Sequence, residues 1–336
     1  MNQPDASDVY RAHTHEDLLN ALPTFFGFVP RESVIGLCVS GPNCRFGFRL
    51  RHDLPAPSDQ RALAANLAGH LRANGDAWMV IAVSADADRA RAMALALSDA
   101  LPAGGVRLTL WADGDRVWSD LPGAPAAGEP YRIDPHHEAI VRAVAAGQVI
   151  ADDRAELAAE LAGPTGERAR WLRAAHDHEL EAFGRRILRQ EPAQWLVAEV
   201  RAVRALVDRH LAGQALSDGD LVQLAVRVTP KDVRDQEWYR IDRENAAPLY
   251  ELWAAVCRVA APEFAPSCLA LAGFAAWQRG DGARALTATD LALGLRPDYT
   301  MARILHQILQ RGVHPDAWQE TREGFPFVDG QGHGAA

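Results

Sequence analysis

Trp78-Met79-Val80-Ile81-Ala82-Val83 is an unbroken apolar run between the turn-forming Asn74-Gly75-Asp76 and the polar Ser84-Ala85-Asp86. A strand with one face in water alternates apolar and polar residues, whereas a short continuous run marks a strand buried on both faces. Such a strand needs covering layers above and below it, and the flanking sequence supplies them. Upstream, residues 58–73 carry Leu63, Leu67 and Leu71 at spacings of four, which predicts an amphipathic helix closed by Asn74-Gly75. Downstream, residues 88–101 predict another helix, closed by Pro102 and Gly104-Gly105.

Further out, residues 33–39 read as a strand and Ser40-Gly41-Pro42-Asn43 as a turn. Residues 45–50 return with Phe46, Phe48 and Leu50 alternating against Arg45, Gly47 and Arg49, which predicts a hairpin. Thr14-His15-Glu16-Asp17 has the form of a helix start, with Leu18, Leu19 and Leu22 on one face and Pro23 expected to end the helix. Residues 106–111, Asp113-Gly114 and residues 116–118 predict a second hairpin. The order α-β-β-α-β-α-β-β predicts an α/β fold, a mixed sheet with helices on its faces. Residues 121–135 are rich in Gly, Pro and Ala and read as a connector. Beyond it the chain is expected to be all-α, with Pro192 opening a helix whose stripe is Leu196, Val200, Val203, Val207 and Leu211. The expected organisation is an α/β domain over 1–150, a helical domain over 151–325 and a disordered tail over 326–336.

Composition removes several functions. The chain has 336 residues, 48% apolar and 24% charged, with 35 basic and 44 acidic residues and a net charge of −9. No nucleic-acid partner is expected from that balance. Lys231 is the only lysine and sits in Thr229-Pro230-Lys231-Asp232, which excludes a phosphate-binding Gly-Lys-Ser/Thr loop. Arg185-Arg186 reads as a solvated helix face. No leader or membrane segment is expected, because Met1 to Asp8 is polar and the apolar runs fall short of the ~20 residues that span a bilayer. Cys38, Cys44, Cys257 and Cys268 lack zinc-ligand spacing. Cys38 and Cys44 flank a turn, but a reducing cytoplasm, the expected location, would keep them as thiols.

Asp86 and Asp88 follow the buried strand, where open α/β sheets bind ligands, and two acids there suit a divalent metal. The competing reading makes Asp86 or Asp88 a helix cap. His52-Asp53 ends another strand, and His13-x-His15-x-Asp17 is only the first half of a metallo-hydrolase pattern, because Leu18 follows; capping by Thr14 uses the same residues and is the favoured reading. His136-His137-Glu138 and His176-Asp177-His178-Glu179 have spacings that point to different sides of a helix, so they read as solvated. Trp253 and Trp277 read as core. No nucleophile signature surrounds any Ser or Cys, and no cofactor is identified.

Leu18-Leu19 through Pro23, Gly27-Phe28-Val29-Pro30 and Ser33-Val34-Ile35 resemble the amino end of the actinobacterial domain-of-unknown-function family 4192. Residues 269–276, Trp277, Gly280-Asp281-Gly282, Ala285, Leu291, Pro297-Asp298-Tyr299 and Ala302 resemble its carboxyl end. The resemblance implies no activity, and residues 119–132 lack the Cys-containing segment often found there in the family. Gly273, Gly280, Ala285, Ala292 and Pro297 also resemble one tetratricopeptide hairpin, near 266–311. Shifted upstream by about 34 residues, that repeat's length, they become Tyr239, Ala246, Glu251, Arg258 and Glu263, which do not repeat the pattern. The expected function is a cytoplasmic binding or adaptor protein without its own catalytic centre, whose helical domain contacts another protein. The alternative is a metal-assisted hydrolase or nucleotide-binding enzyme using Asp86 and Asp88.

Overall fold

A computed structural model describes residues 10–42, 44–146 and 148–318. The chain divides into two compact units, Met1–Arg154 and Ala155–Ala336. The tail expected to be disordered, 326–336, lies outside the described residues.

The first unit contains α1 (His15–Phe26), β1 (Ser33–Ser40), β2 (Arg45–Asp53), α2 (Gln60–Asn74), β3 (Trp78–Val83) and α3 (Ala87–Asp99). It continues through β4 (Val106–Ala112), β5 (Arg116–Ser119), β6 (Glu129–Pro130) and α4 (Glu138–Ala145). The sheet order is β2-β1-β3-β4-β5-β6. β3 and β4 are parallel through the α3 crossover, and the other pairings are antiparallel. β3 lies inside the sheet as the apolar run requires, with Val80, Ile81 and Ala82 all at 0% exposure. Val80 and Ala82 pack with Leu67 and Leu71 of α2 and with Met93 and Leu97 of α3. Pleating turns Ile81 to the opposite face. Trp78 donates its indole N–H to Leu71 O at 3.1 Å. A Cβ at Gly105 would lie 2.3 Å from the Trp78 ring, so the chain passes there only as glycine.

Three local expectations are corrected. α1 runs through Pro23 to Phe26, because Pro23 costs one helix N–H while burying its ring and Phe26. The helix then ends on left-handed Gly27 (φ 71°), whose N–H bonds Pro23 O at 2.8 Å. In β2 the predicted alternation is broken by a bulge: Leu37 pairs with Arg49 but Val39 pairs with Phe46, leaving Gly47 and Phe48 opposite Cys38. The extra residue turns Phe46 toward Phe25 of α1, 5.1 Å between ring centres, while Phe48 and Leu50 stay with the α2–α3 core. Residues 121–135 are not only a connector, since β6 lies within them and pairs with β5.

The described part of the second unit is all helical. It is built from α5 (Arg154–Glu160, which starts at the boundary), α6 (Gly166–Arg189), α7 (Pro192–Leu211), α8 (Asp218–Arg227) and α9 (Lys231–Trp238). α10 (Ala246–Cys257), α11 (Ala265–Gln278), α12 (Gly282–Leu295) and α13 (Thr300–Gln310) complete it. Every residue of α11 is buried, and α8, α9, α10, α12 and α13 all pack on it. A Cβ at Gly273 would sit 3.2 Å from Ala285 O, Ala288 Cβ and Leu305, a closeness that favours glycine between α11 and α12. Trp253 is fully buried, and Trp277 is buried with its indole N–H on Val313 O at 3.1 Å.

Charges are buried here too. Glu199, its side chain 1% exposed, accepts from Arg186 Nε at 2.6 Å and from Arg227 Nη1 at 2.5 Å. Arg186 also reaches Glu179 at 2.8 Å. This corrects the reading of Arg186 as part of a solvated face: facing buried carboxylates, it is drawn inward and paired. Removing Glu199 leaves the Arg186 and Arg227 guanidinium groups only Glu179 to share, and breaking a buried pair costs roughly 3–5 kcal/mol. Glu199→Ala is therefore expected to lower the urea-unfolding free energy by about 3 kcal/mol. A change under about 1 kcal/mol, the surface-pair range, would contradict the network's role.

Candidate functional site

The carboxyl end of β3 lies beside the start of β1, with Val83 opposite Ser33. Ser84-Ala85-Asp86 then turns into α3 at the place where an α/β sheet offers a ligand crevice. Asp86 and Asp88 are both exposed in this turn. Asp86 accepts the backbone N–H of Arg89 at 3.0 Å as the N-cap of α3, and Asp88 stands in the helix's first turn.

A third carboxylate, Glu32, enters the same turn. Its backbone holds φ of 40°, which L residues rarely adopt. Its carboxylate accepts from Ser84 Oγ at 3.0 Å, Ala85 N–H at 2.9 Å and Arg89 Nη1 at 2.9 Å. Arg89 Nη2 continues to Leu54 O at 2.7 Å and Pro55 O at 3.0 Å. Glu32 carried no motif; only the antiparallel pairing of β1 with β3 brings it here from 52 residues away. His52 does not join this turn through any hydrogen bond: its Nδ1 contacts Asp53 O at 2.7 Å, and Asp53 pairs with Arg51 and Arg154. Among the described residues, no group of three or more His, Cys, Asp or Glu is arranged to hold a metal ion.

Two histidine segments that are far apart in sequence do meet. His15 Nδ1 lies 3.2 Å from Glu129, and His137 Nε2 lies 3.2 Å from Asp17. His137 Nδ1 accepts Ala139 N–H at 3.3 Å, which caps α4 and leaves the proton on Nε2, facing Asp17. The reading of His137 as solvated is therefore corrected; its side chain is 18% exposed and both ring nitrogens are engaged. Asp17 completes a capping box with Thr14, and the Tyr10 ring meets His137 edge-on at 5.8 Å. Burial raises the Asp17 pKa, but hydrogen bonds from His13 N–H, His137 and Thr14 outweigh it and hold the carboxyl below its ordinary value. These contacts tie α1 to the chain around α4.

His176 and Glu179 are buried, which corrects the solvated reading of that segment. His176 bonds Leu172 O at 2.7 Å and Ala261 N–H at 3.3 Å, and stacks on Phe264. All four cysteines are free thiols. Burial pushes Cys38 up to about 11 and Cys268 up to about 12, which leaves neither activated as a thiolate. Lys231 is an exposed residue at the start of α9.

The helical unit contributes a surface of another kind. α6 exposes Trp171 at 59%, Leu180 at 47%, Ile187 at 46% and Leu188 at 87%. Beyond Leu188, the outer side of α7 forms a shallow groove lined by Ala193, Gln194, Val197, Ala198 and Arg201.

The chain is thus of the class that joins a mixed α/β unit to an all-helical one. It belongs to the family described as domain of unknown function (DUF4192), which it matches over residues 16–316. Comparison with curated proteins and with solved structures gave no match. Among the described residues, no helix is long and apolar enough to cross a membrane.

The lowered Asp17 pKa fixes a pH dependence. A carboxyl depressed in the folded state contributes stability above its unfolded value, about 3.9, and loses it as pH falls through the folded value. Thermal melts of wild type and Asp17→Asn are expected to differ most near neutral pH and to converge toward pH ~2. A gap that stays constant with pH would contradict this.

Proposed function

We propose that this protein is a binding or adaptor protein, working in the cytoplasm, whose helical unit docks another protein. The observation that carries the reading is α6, where four large apolar side chains stand exposed, Trp171 and Leu188 by more than half. Leu180, Ile187 and Leu188 fall toward one side of the carboxyl half of α6, with Trp171 apart near its start. Exposed apolar residues of this size favour surfaces that a partner covers, and an exposed Trp is the residue type that most often dominates such contacts. The helical hairpin of α11 and α12, read as tetratricopeptide-like, adds a fold-level analogy with docking modules. The occupant we infer is a protein presenting apolar side chains. A nucleic acid is a poor fit to a chain of net charge −9.

A second reading, a metal-assisted hydrolase or nucleotide-binding enzyme, rests on position: Asp86 and Asp88 stand exposed in the turn beyond β3. One set of variants separates the two readings. On the adaptor reading, a partner captured by wild type and then purified binds at least about tenfold more weakly to Trp171→Ala/Leu188→Ser, whose melting temperature is unchanged. On the enzyme reading, Mg²⁺ or a nucleotide raises the wild-type melting temperature, and Asp86→Ala/Asp88→Ala abolishes that rise. A partner bound equally by the α6 variant, or a ligand shift lost in the Asp86/Asp88 variant, would overturn the adaptor reading.

A further inference from the structure

The two edges of the sheet are built differently. One ends in β6, two residues long and containing Pro130, the kind of short, proline-bearing edge that blocks further pairing. The other ends in β2, nine residues without a proline, none of them buried, beside a β1 that is buried along all but its last residue. Among the described residues, no backbone group bonds to the outer edge of β2, whose strand pairing is to β1 alone. Its outward N–H and C=O groups therefore form a template for another strand.

The side chains on this strand select what can pair there. Arg45, Arg49 and Arg51 lie along it. Arg51 is satisfied by Asp53 at 2.5 Å and Ser33 Oγ at 2.9 Å. Arg45 and Arg49 have no carboxylate partner among the described residues. Arg49 lies over the Phe25 ring at 5.1 Å. In the antiparallel register that sets Arg45 opposite Arg49, a second copy of β2 would place arginine against arginine, and like charges across a strand pair are destabilising. An acidic strand would instead supply the missing anions. The basic strip is also conspicuous on a chain of net charge −9.

We propose that the free edge of β2 receives an extended acidic segment of a partner protein as a seventh strand, its main chain pairing with β2 and its carboxylates meeting Arg49 on the face that carries Phe25 and Arg45 on the other face. This surface is separate in chemistry from the apolar α6 face, and its test does not depend on that reading.

The probe is a fluorescein-labelled Glu-Val peptide of repeating Glu-Glu-Val-Val, which sets carboxylates on both faces of an extended strand, followed by anisotropy with the full chain at low salt. Three controls accompany it: the same peptide N-methylated at every second residue, a Lys-Val counterpart, and oligothymidylate. The Glu-Val peptide is expected to bind and the Lys-Val peptide to fail. N-methylation, which keeps the charge but removes strand pairing, is expected to abolish binding. Arg45→Glu/Arg49→Glu, checked for an unchanged circular dichroism spectrum and melting temperature, is expected to bind the peptide about tenfold more weakly. Arg45→Gln/Arg49→Gln, a milder pair, gives the same readout should the Glu variant misfold. Failure of the Glu-Val peptide to bind, equal binding of its N-methylated form, or tighter binding of oligothymidylate would each overturn the proposal.

Discussion

Keeping Val80, Ile81 and Ala82 out of water on both faces of one strand is the constraint on which the first unit depends. A strand that is apolar on both sides cannot sit at an edge, so β1 and β4 must flank it. It needs helices on its faces, and α2 and α3 meet it from one side with Leu67, Leu71, Met93 and Leu97. Because α3 crosses from β3 to β4, those two strands are parallel and their carboxyl ends share a rim. Because β1 runs against β3, Glu32 arrives at that rim as well. One burial requirement thus sets the strand order, the direction of the crossover and the placing of three carboxylates.

The second unit answers to a different constraint. α11 is buried over its whole length, and its core also takes in ionised groups from the surrounding helices. Glu199 with Arg186 and Arg227 is one such group, and Arg284 with Glu160 at 2.6 Å and Asp281 at 3.0 Å is another. Ion pairs of this kind add little net stability over an apolar pair of the same shape, yet breaking one partner away is costly. They therefore fix which helix faces meet.

Much of the first unit was legible in sequence because the evidence for it is local. The apolar run of β3, the Leu63-Leu67-Leu71 stripe and the Thr14 capping box each fall within a few residues. What escaped depended on partners far along the chain. The bulge that turns Phe46 toward Phe25 needs β1 as its reference, and β6 exists only through its pairing with β5. His137 looked solvated because its helical spacing suits no ligand, yet Asp17, 120 residues earlier, accepts a hydrogen bond from its Nε2–H. His176 was read as solvated by the same spacing rule, although Ala261, 85 residues on, donates to it. Arg186 was read as solvated because it adjoins Arg185, and the helix turn between α6 and α7 brings Glu199 to it from 13 residues on. At the rim, Asp86 and Asp88 were found by position after a strand, whereas Glu32 carried no local signal at all.

If β3, buried on both faces, organises the first unit, its amides are the last to open. Native-state hydrogen exchange measured amide by amide is the test. The amides of Val80, Ile81 and Ala82, with Ile35 and Leu37 of β1, are predicted to be the slowest to exchange in residues 10–154, and those on the outer edge of β2 among the fastest in the sheet. Exchange of the β3 amides as rapid as that of the short β5–β6 pair would contradict the account.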